Sequence, residues 1–466
     1  MNTEQRRVTF AICLSVGFTF LISAGLTFLI RPMAEDLHLG DGSVATLLAL
    51  PSVASLLVIF IAGQTGDRLG HRTALLYFSS SFIIGSALVA LGNGPMMIGL
   101  GLAICGAAAT AIQIVALGLL QLSVPEGSAH TSAFTTYGMV YPVAYLAFPL
   151  LTAGLLDVAV WRIIPCVWVV SGFVIFAVVL RLIRQTENRQ PIGEWLSPLL
   201  AGAVLAAGVR FLDALGQGEL RNREATTDLV LLIIALILFT LRYRTGRELS
   251  FSLEPLRGAM IRVLLLGVAL VALVGTLTYV ILALEFMYNM TSLDAAIAVI
   301  PAQAGAIFGA KVLASRAIQR WGCAVAGTHL TFALGMSMLT LVSIQSTSPA
   351  WLLVACATAF NTIALAAVTV LNADVMARAP QNSTGPISSL RGAASSIGTG
   401  LGVVVLGTGV INAVNAGNGA TSVGSDQLHQ IAAALRVDGI LGCGIALIAW
   451  LALRWTERQH SESVKS

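Results

Sequence analysis

Several ionisable side chains sit inside long apolar runs, where charge is costly, and these are the residues with chemistry to offer. Glu285 lies towards one end of the run 260–287, Lys311 inside 293–314, Asp374 near the end of 349–375, and Arg391 near the start of 385–411. A charge in hydrocarbon costs about 2.5–3.5 kcal/mol on insertion scales, so each marks a candidate function. A carboxyl partly withdrawn from water, such as Glu285 or Asp374, is suited to taking up and releasing protons. Its plainer reading is an interfacial or helix-end acid. Lys311 offers a cation to an anionic ligand or to an acid on another helix, or it snorkels to the interface along its own stem. Arg391 offers a cation to a ligand or a structural pair. Gln113, Tyr137, Tyr141, Tyr145, Gln303 and Asn361 are uncharged polar residues that either line a cavity or hydrogen-bond between helices. Tyr137, Tyr141 and Tyr145 recur every four residues, on one face of a helix, and such a stripe either stacks on an amphipathic ligand or packs.

Covalent chemistry has no comparable support. There is no phosphate loop, no H-E-x-x-H and no C-x-x-C, and the six histidines and six cysteines form no metal-spaced cluster. The sequence predicts neither enzymatic activity nor a cofactor or metal.

The elements that hold these residues are dictated by composition. The chain is 57% hydrophobic and only 10% charged, against about 25% charged in soluble domains, so its solvent is a bilayer. Apolar runs at about 8–30, 43–65, 73–92, 95–122, 131–156, 163–183, 195–214, 227–241, 260–287, 293–314, 323–345, 349–375, 385–411 and 436–453 match the roughly 20 residues of a spanning helix. The seventh carries Arg210 and Asp213, and the eighth is short and ends at Arg242, Arg244 and Arg247; without both, twelve spans remain. The first run follows Arg6 and Arg7 and lacks a small-residue cleavage pattern, so it reads as a retained span. Of 26 Lys and Arg, Arg31, Arg162, Arg210, Arg221, Arg223 and Arg436 fall on one side, Lys311 and Arg391 lie in spans, and all others fall on the opposite side. The positive-inside rule therefore puts both termini in the cytoplasm of a multi-pass cell-membrane protein. The net charge of +4 is a topology signal dispersed over short loops, which excludes a nucleic-acid-binding face.

A basic turn occurs twice. Gly66-Asp67-Arg68-Leu69-Gly70-His71-Arg72 follows the second run and Arg316-Ala317-Ile318-Gln319-Arg320-Trp321-Gly322 follows the tenth. If the seventh and eighth runs are an insertion, the turns are equivalent in two six-helix halves, a parallel repeat of the kind found in secondary transporters. This organises the chain as 1–190, 191–247 and 248–466, with 242–259 as the linker.

The stretch Gly63-Gln64-Thr65-Gly66-Asp67-Arg68-Leu69-Gly70-His71-Arg72 resembles the loop signature of the major facilitator superfamily. Asp157 with Trp161-Arg162 is similar to the outer turn before span six in that superfamily. The order of six, two and six spans resembles its fourteen-span drug:proton antiporter branch, as do Glu254-Pro255-Leu256-Arg257, Ile300-Pro301, and Leu390-Arg391-Gly392 through Gly400-Leu401-Gly402. Three positions depart from the branch: Ser23 stands where it has an acid, Leu102 where it has an arginine, and Ala144, Phe148, Pro149, Thr152 and Ala153 where it has glycines around a Gly-Pro pair. The resemblance implies an all-α membrane fold of two six-helix halves plus two inserted helices, working as a monomer within membrane lipid. It implies that Gly63, Gly66, Asp67, Arg68, Gly70 and Arg72 gate alternating access. It also implies export of small hydrophobic or amphipathic substrates driven by protons. An organic-anion transporter using Lys311 and Arg391, or a membrane sensor without turnover, are the other readings.

Overall fold

With no water to satisfy their backbone, apolar runs of this length close their hydrogen bonds internally as helices. The computed structural model describes residues 2–38, 41–124, 127–158, 160–184, 194–216, 223–244, 262–290, 292–377, 384–407, 409–410, 413 and 425–463, and every regular element among them is helical. Eleven segments among the described residues are long and apolar enough to cross a membrane. The predicted linker lies outside the described residues from 245 onward, and with it Glu254-Pro255.

The chain forms two compact units. The first comprises Met1–Gly208, Val230–Leu256 and Ala379–Ala393. It contains α1 (Thr3–Asp36), α2 (Asp41–Leu69), α3 (His71–Leu91), α4 (Pro95–Ser123), α5 (Ser128–Gly138), α6 (Val140–Val158) and α7 (Ile163–Leu182). α4 is the central helix: α1, α2 and α3 all pack on it, and α7 packs on α1 and α3. Its buried residues include Leu102, Cys105, Ile112 and Leu117, so the position at which the related branch has an arginine is a core leucine here.

Two helices follow, α8 (Leu196–Gly216) and α9 (Arg223–Arg244). Their charges explain themselves once paired. Arg210 Nε donates to Asp228 Oδ1 at 3.0 Å, and Arg242 pairs with Glu194. The cation that weakens the seventh apolar run is therefore held by an acid that the eighth contributes.

The second unit comprises Val209–Leu229, Arg257–Arg378 and Ala394–Ser466. Its helices are α10 (Ala272–Met287), α11 (Ser292–Ala298), α12 (Ile300–Phe308), α13 (Ala314–Met338), α14 (Ala350–Ala377) and α16 (Ser425–Ser463), together with the end of α15 (Thr384–Gly402). α13 packs between α14 and α16, and α12 and α10 pack on α14. Among the described residues three π-turns interrupt the regular pitch, at Leu266–Val271 before α10, Gly309–Leu313 between α12 and α13, and Val403–Gly407 after α15. Such turns shift every later side chain around its helix and recur at functional sites.

The two basic turns share a backbone feature. Gly70 between α2 and α3 has φ 86°, and Gly322 within α13 has φ 76°. Only glycine adopts that conformation without strain, so each unit reverses its chain through the same residue type at the same point of the motif.

Candidate functional site

In the first unit the Gly63–Arg72 stretch forms the α2–α3 junction. Gly63, Gln64, Gly66, Arg68, Gly70 and His71 are buried, and Asp67 is partly so. Asp67 Oδ1 lies 3.9 Å from His71 Nε2, and the Arg68 guanidinium stacks over the Trp195 ring, 5.3 Å from its centroid. Arg72 Nη2 donates to the Leu180 carbonyl at 2.9 Å, closing the C-terminal end of α7 from 108 residues away. That end of a helix carries partial negative charge and unsatisfied carbonyls, which suit a guanidinium. Both amide atoms of Gln64 and Nη1 of Arg68 are buried with no hydrogen-bond partner among the described residues.

At the far end of the same unit, Trp161 and Arg162 gather three turns. Trp161 Nε1 donates to Asp36 Oδ2 at 2.8 Å, and Arg162 stacks on Trp161 at 4.3 Å while its Nη2 donates to Asn93 Oδ1 at 3.0 Å. The fragment resembling an outer turn is thus a clasp joining the ends of α1, α3 and α7. The side chains of Arg31 and Asp157 lie outside the described residues.

The three tyrosines lie on either side of a one-residue turn at Met139, which keeps right-handed helical angles. Tyr137 belongs to α5, which ends at Gly138, whereas Tyr141 and Tyr145 belong to α6. Tyr141 and Tyr145 have ring centroids 4.5 Å apart and meet Phe20 of α1 edge-on at 5.6 and 5.9 Å. The Tyr145 phenol lies near the side chain of Ser23, the residue standing where the related branch has an acid. Gln113 of α4 donates to Thr19 Oγ1 of α1 at 2.9 Å. Arg391 is grouped with this unit, within electrostatic reach of the Tyr137 phenol. Between α1 and α5–α6 an apolar groove of 420 Å³ is lined by Phe10, Leu14, Phe18, Met139, Val143 and Phe148. Rings with hydroxyl edges beside an apolar groove suit an amphipathic molecule.

In the second unit Lys311 sits partly buried within the Gly309–Leu313 π-turn. Glu285 occupies the last turn of α10, also partly buried. Beyond it Tyr288 donates to the Ser348 carbonyl at 2.8 Å, and burial pushes its phenol up from the ordinary value. Asp374 is 4% exposed and pairs with Arg262, itself 2% exposed, through a hydrogen bond from Nη1 to Oδ2. Asn361 donates to the Ala302 carbonyl at 3.0 Å, and Gln303 Oε1 is buried with no partner among the described residues.

Sequence reasoning missed four acids or cations that matter: Arg262, Asp36, Asp228 and Asp438. The first three are partners in ion pairs or hydrogen bonds whose other member was singled out, and only a fold brings them together. Asp438 carries a local signal, an acid on the buried face of an apolar run beside Leu435 and Gly442. Among the described residues no three His, Cys, Asp or Glu side chains gather as a metal site.

These features fall within a known pattern. The profile of the Major Facilitator Superfamily matches residues 12–403. A tetracenomycin C resistance and export protein of Streptomyces glaucescens is 26% identical over 392 residues, covering 80% of this chain and 70% of that protein. Among solved structures, the human organic anion transporter MFSD10 (TETRAN) superposes with a TM-score of 0.68 at 14% identity, covering 97% of this chain and 100% of that one. The proton:xylose symporter XylE superposes with a TM-score of 0.62 at 12% identity, covering 96% and 94%. With the profile spanning most of its length, the chain belongs to the major facilitator superfamily of multi-pass membrane transporters.

Proposed function

We propose that this protein exports small hydrophobic or amphipathic compounds by alternating access, driven by proton entry. The observation that carries the reading is the match over 80% of the chain to a protein named for resistance and export. In this reading fourteen spans form halves at 1–190 and 248–466 around an inserted pair at 191–247, with both termini cytoplasmic in the cell membrane. A fifty-residue apolar helix, Asp294–Ser343, is about twice the length that a bilayer core accommodates, and its break at Gly322 supports two passes there. Asp67, Arg68 and Arg72, with Gly63, Gly66 and Gly70, act as the gate. The unpartnered buried atoms of Gln64 and Arg68 support this role, because a gate needs polar groups that are satisfied in another arrangement.

Tyr141, Tyr145 and Phe20 offer the stacking surface, with Tyr137 and Gln113 beside it. Glu285 is the candidate coupling acid, being partly exposed where Asp374 is buried against Arg262. One proton crossing 100 mV supplies about 2.3 kcal/mol, roughly fifty-fold in gradient. The protein acts as a monomer. A second reading, transport of organic anions, is favoured by Arg391 near the Tyr137 phenol and Lys311 in a π-turn.

The test is transport in proteoliposomes with a pH-sensitive dye inside, an imposed proton gradient, and a panel of lipophilic cations and organic anions. Proton flux evoked by a cation and lost in Glu285→Gln supports proton-coupled export. Solute movement without proton flux in either protein removes the coupling. Lys311→Gln then separates the readings: loss of anion transport with cation transport spared establishes the anion transporter.

A further inference from the structure

Among the described residues, the buried acid with the least compensation in its surroundings is Asp438, in α16. It is 2% exposed, and its Oδ2 has no hydrogen-bond partner among the described residues.

Its direction follows from its neighbours on the helix. A Cβ built on Gly442 would lie 2.6 Å from Met338 of α13 and 3.1 Å from Leu273 of α10, and one built on Gly409 would lie 3.2 Å from Ala434. Residues four apart on a helix differ by only about 40° around its axis, so Asp438 points between those contacts. That direction is the seam where the end of α13, α10 and the chain just after the Val403–Gly407 π-turn meet. α10 and α16 run antiparallel there, since Leu273 meets Gly442 while Tyr279, further along α10, meets Gly407, two residues before the Gly409 that meets Ala434, earlier in α16. One turn on from Leu273 is Thr276, and one turn back from Gly442 is Asp438. The two therefore share a level. Thr276 is 0% exposed and its Oγ1 likewise has no hydrogen-bond partner among the described residues.

No cation faces this seam among the described residues. On α10 and its leading turn, Arg262 is paired with Asp374, Tyr279 is a phenol at Gly407, and Glu285 lies beyond, in the last turn. On α13, Arg316, Arg320 and Cys323 flank the Gly322 break, and His329 stacks edge-on with Trp321. The segments Leu266–Val271, Leu339–Ser343 and Val403–Gly407 carry no charged residue. On α16 itself Arg436 is two residues from Asp438, hence on the opposite side, and its Nε donates back to the Ala432 carbonyl; Cys443 is the remaining titratable neighbour. A buried carboxylate with neither donor nor counter-ion among the described residues is a high-energy state, and such a group neutralises instead.

We propose that Asp438 is a proton-binding site, neutral in this arrangement, which carries a coupling proton through the transport cycle; the carrier role rests on the proton-coupled reading above. One proton adds to one carboxylate oxygen when the seam is open to water on one side, and leaves from it when the seam opens to the other. Thr276 supplies a hydroxyl at the same level for the ionised form.

The experiment compares purified wild type with Asp438→Asn by infrared difference spectroscopy near neutral pH, and both in proteoliposomes. A carboxylic-acid carbonyl band present in wild type and missing from the variant is expected. The variant is expected to exchange solute without a gradient while its solute-evoked proton flux falls at least tenfold, and Asp438→Glu restores flux. Absence of the band, or proton flux unchanged in Asp438→Asn, overturns the proposal even where wild type is proton-coupled. A wild type that shows the band yet moves solute with no proton flux overturns the carrier role and the coupling reading together.

Discussion

Replacing Arg262 or Asp374 singly is expected to destabilise the protein far more than replacing both. The two side chains are 2% and 4% exposed and joined by a hydrogen bond between residues 112 apart. Removing one partner of a buried pair leaves the other charge uncompensated, at about 3–5 kcal/mol, whereas exchanging both for apolar residues of similar size is close to neutral. Arg262→Met and Asp374→Leu should therefore each lose at least about 3 kcal/mol, and the double variant about 1 kcal/mol or less, a coupling well above the few tenths expected of independent sites. By the scaling for domains of 150–250 residues, 3 kcal/mol corresponds to about 6–12 °C in Tm, readable by thermal unfolding in detergent. Simple additivity of the two losses would refute the reasoning. The double variant also settles the role of Asp374 in transport. Recovery of fold and of proton flux makes the carboxylate a positional element, and recovery of fold without flux makes it a coupling acid.

Gly70→Ala and Gly322→Ala should each cost on the order of 1–3 kcal/mol, because φ values of 86° and 76° are disallowed to a residue with a Cβ. Gly94→Ala is the control, since its backbone is extended and a Cβ there meets nothing within 4 Å; equal melting temperatures for all three would contradict this. Trp161→Phe keeps the ring under Arg162 but deletes the 2.8 Å bond to Asp36, for an expected loss of about 0.5–1.5 kcal/mol. Hydrogen exchange at the ends of α1 and α3 should rise, and unchanged protection would show that the clasp does not hold those turns. Arg210→Ala leaves Asp228, 6% exposed, without its cation and should loosen α8 from α9, seen as new protease cleavage between them; Arg210→Ala with Asp228→Ala should restore resistance.

The family, the membrane setting and the position of the two basic turns were legible in the sequence because each rests on a local requirement. Apolar length follows from bilayer thickness, cation placement from topology, and Gly70 and Gly322 from a backbone angle that one residue type tolerates. The pairings were not legible. Arg262 with Asp374, and Trp161 with Asp36, join residues more than a hundred positions apart, and which faces meet depends on the rotation and depth of each helix in the packed unit. Asp438 shows this limit most clearly. An acid at the start of the last apolar run is written identically whether it snorkels to water or turns inward, and only the packing of α10 and the end of α15 around α16 removes the water that would have held its charge.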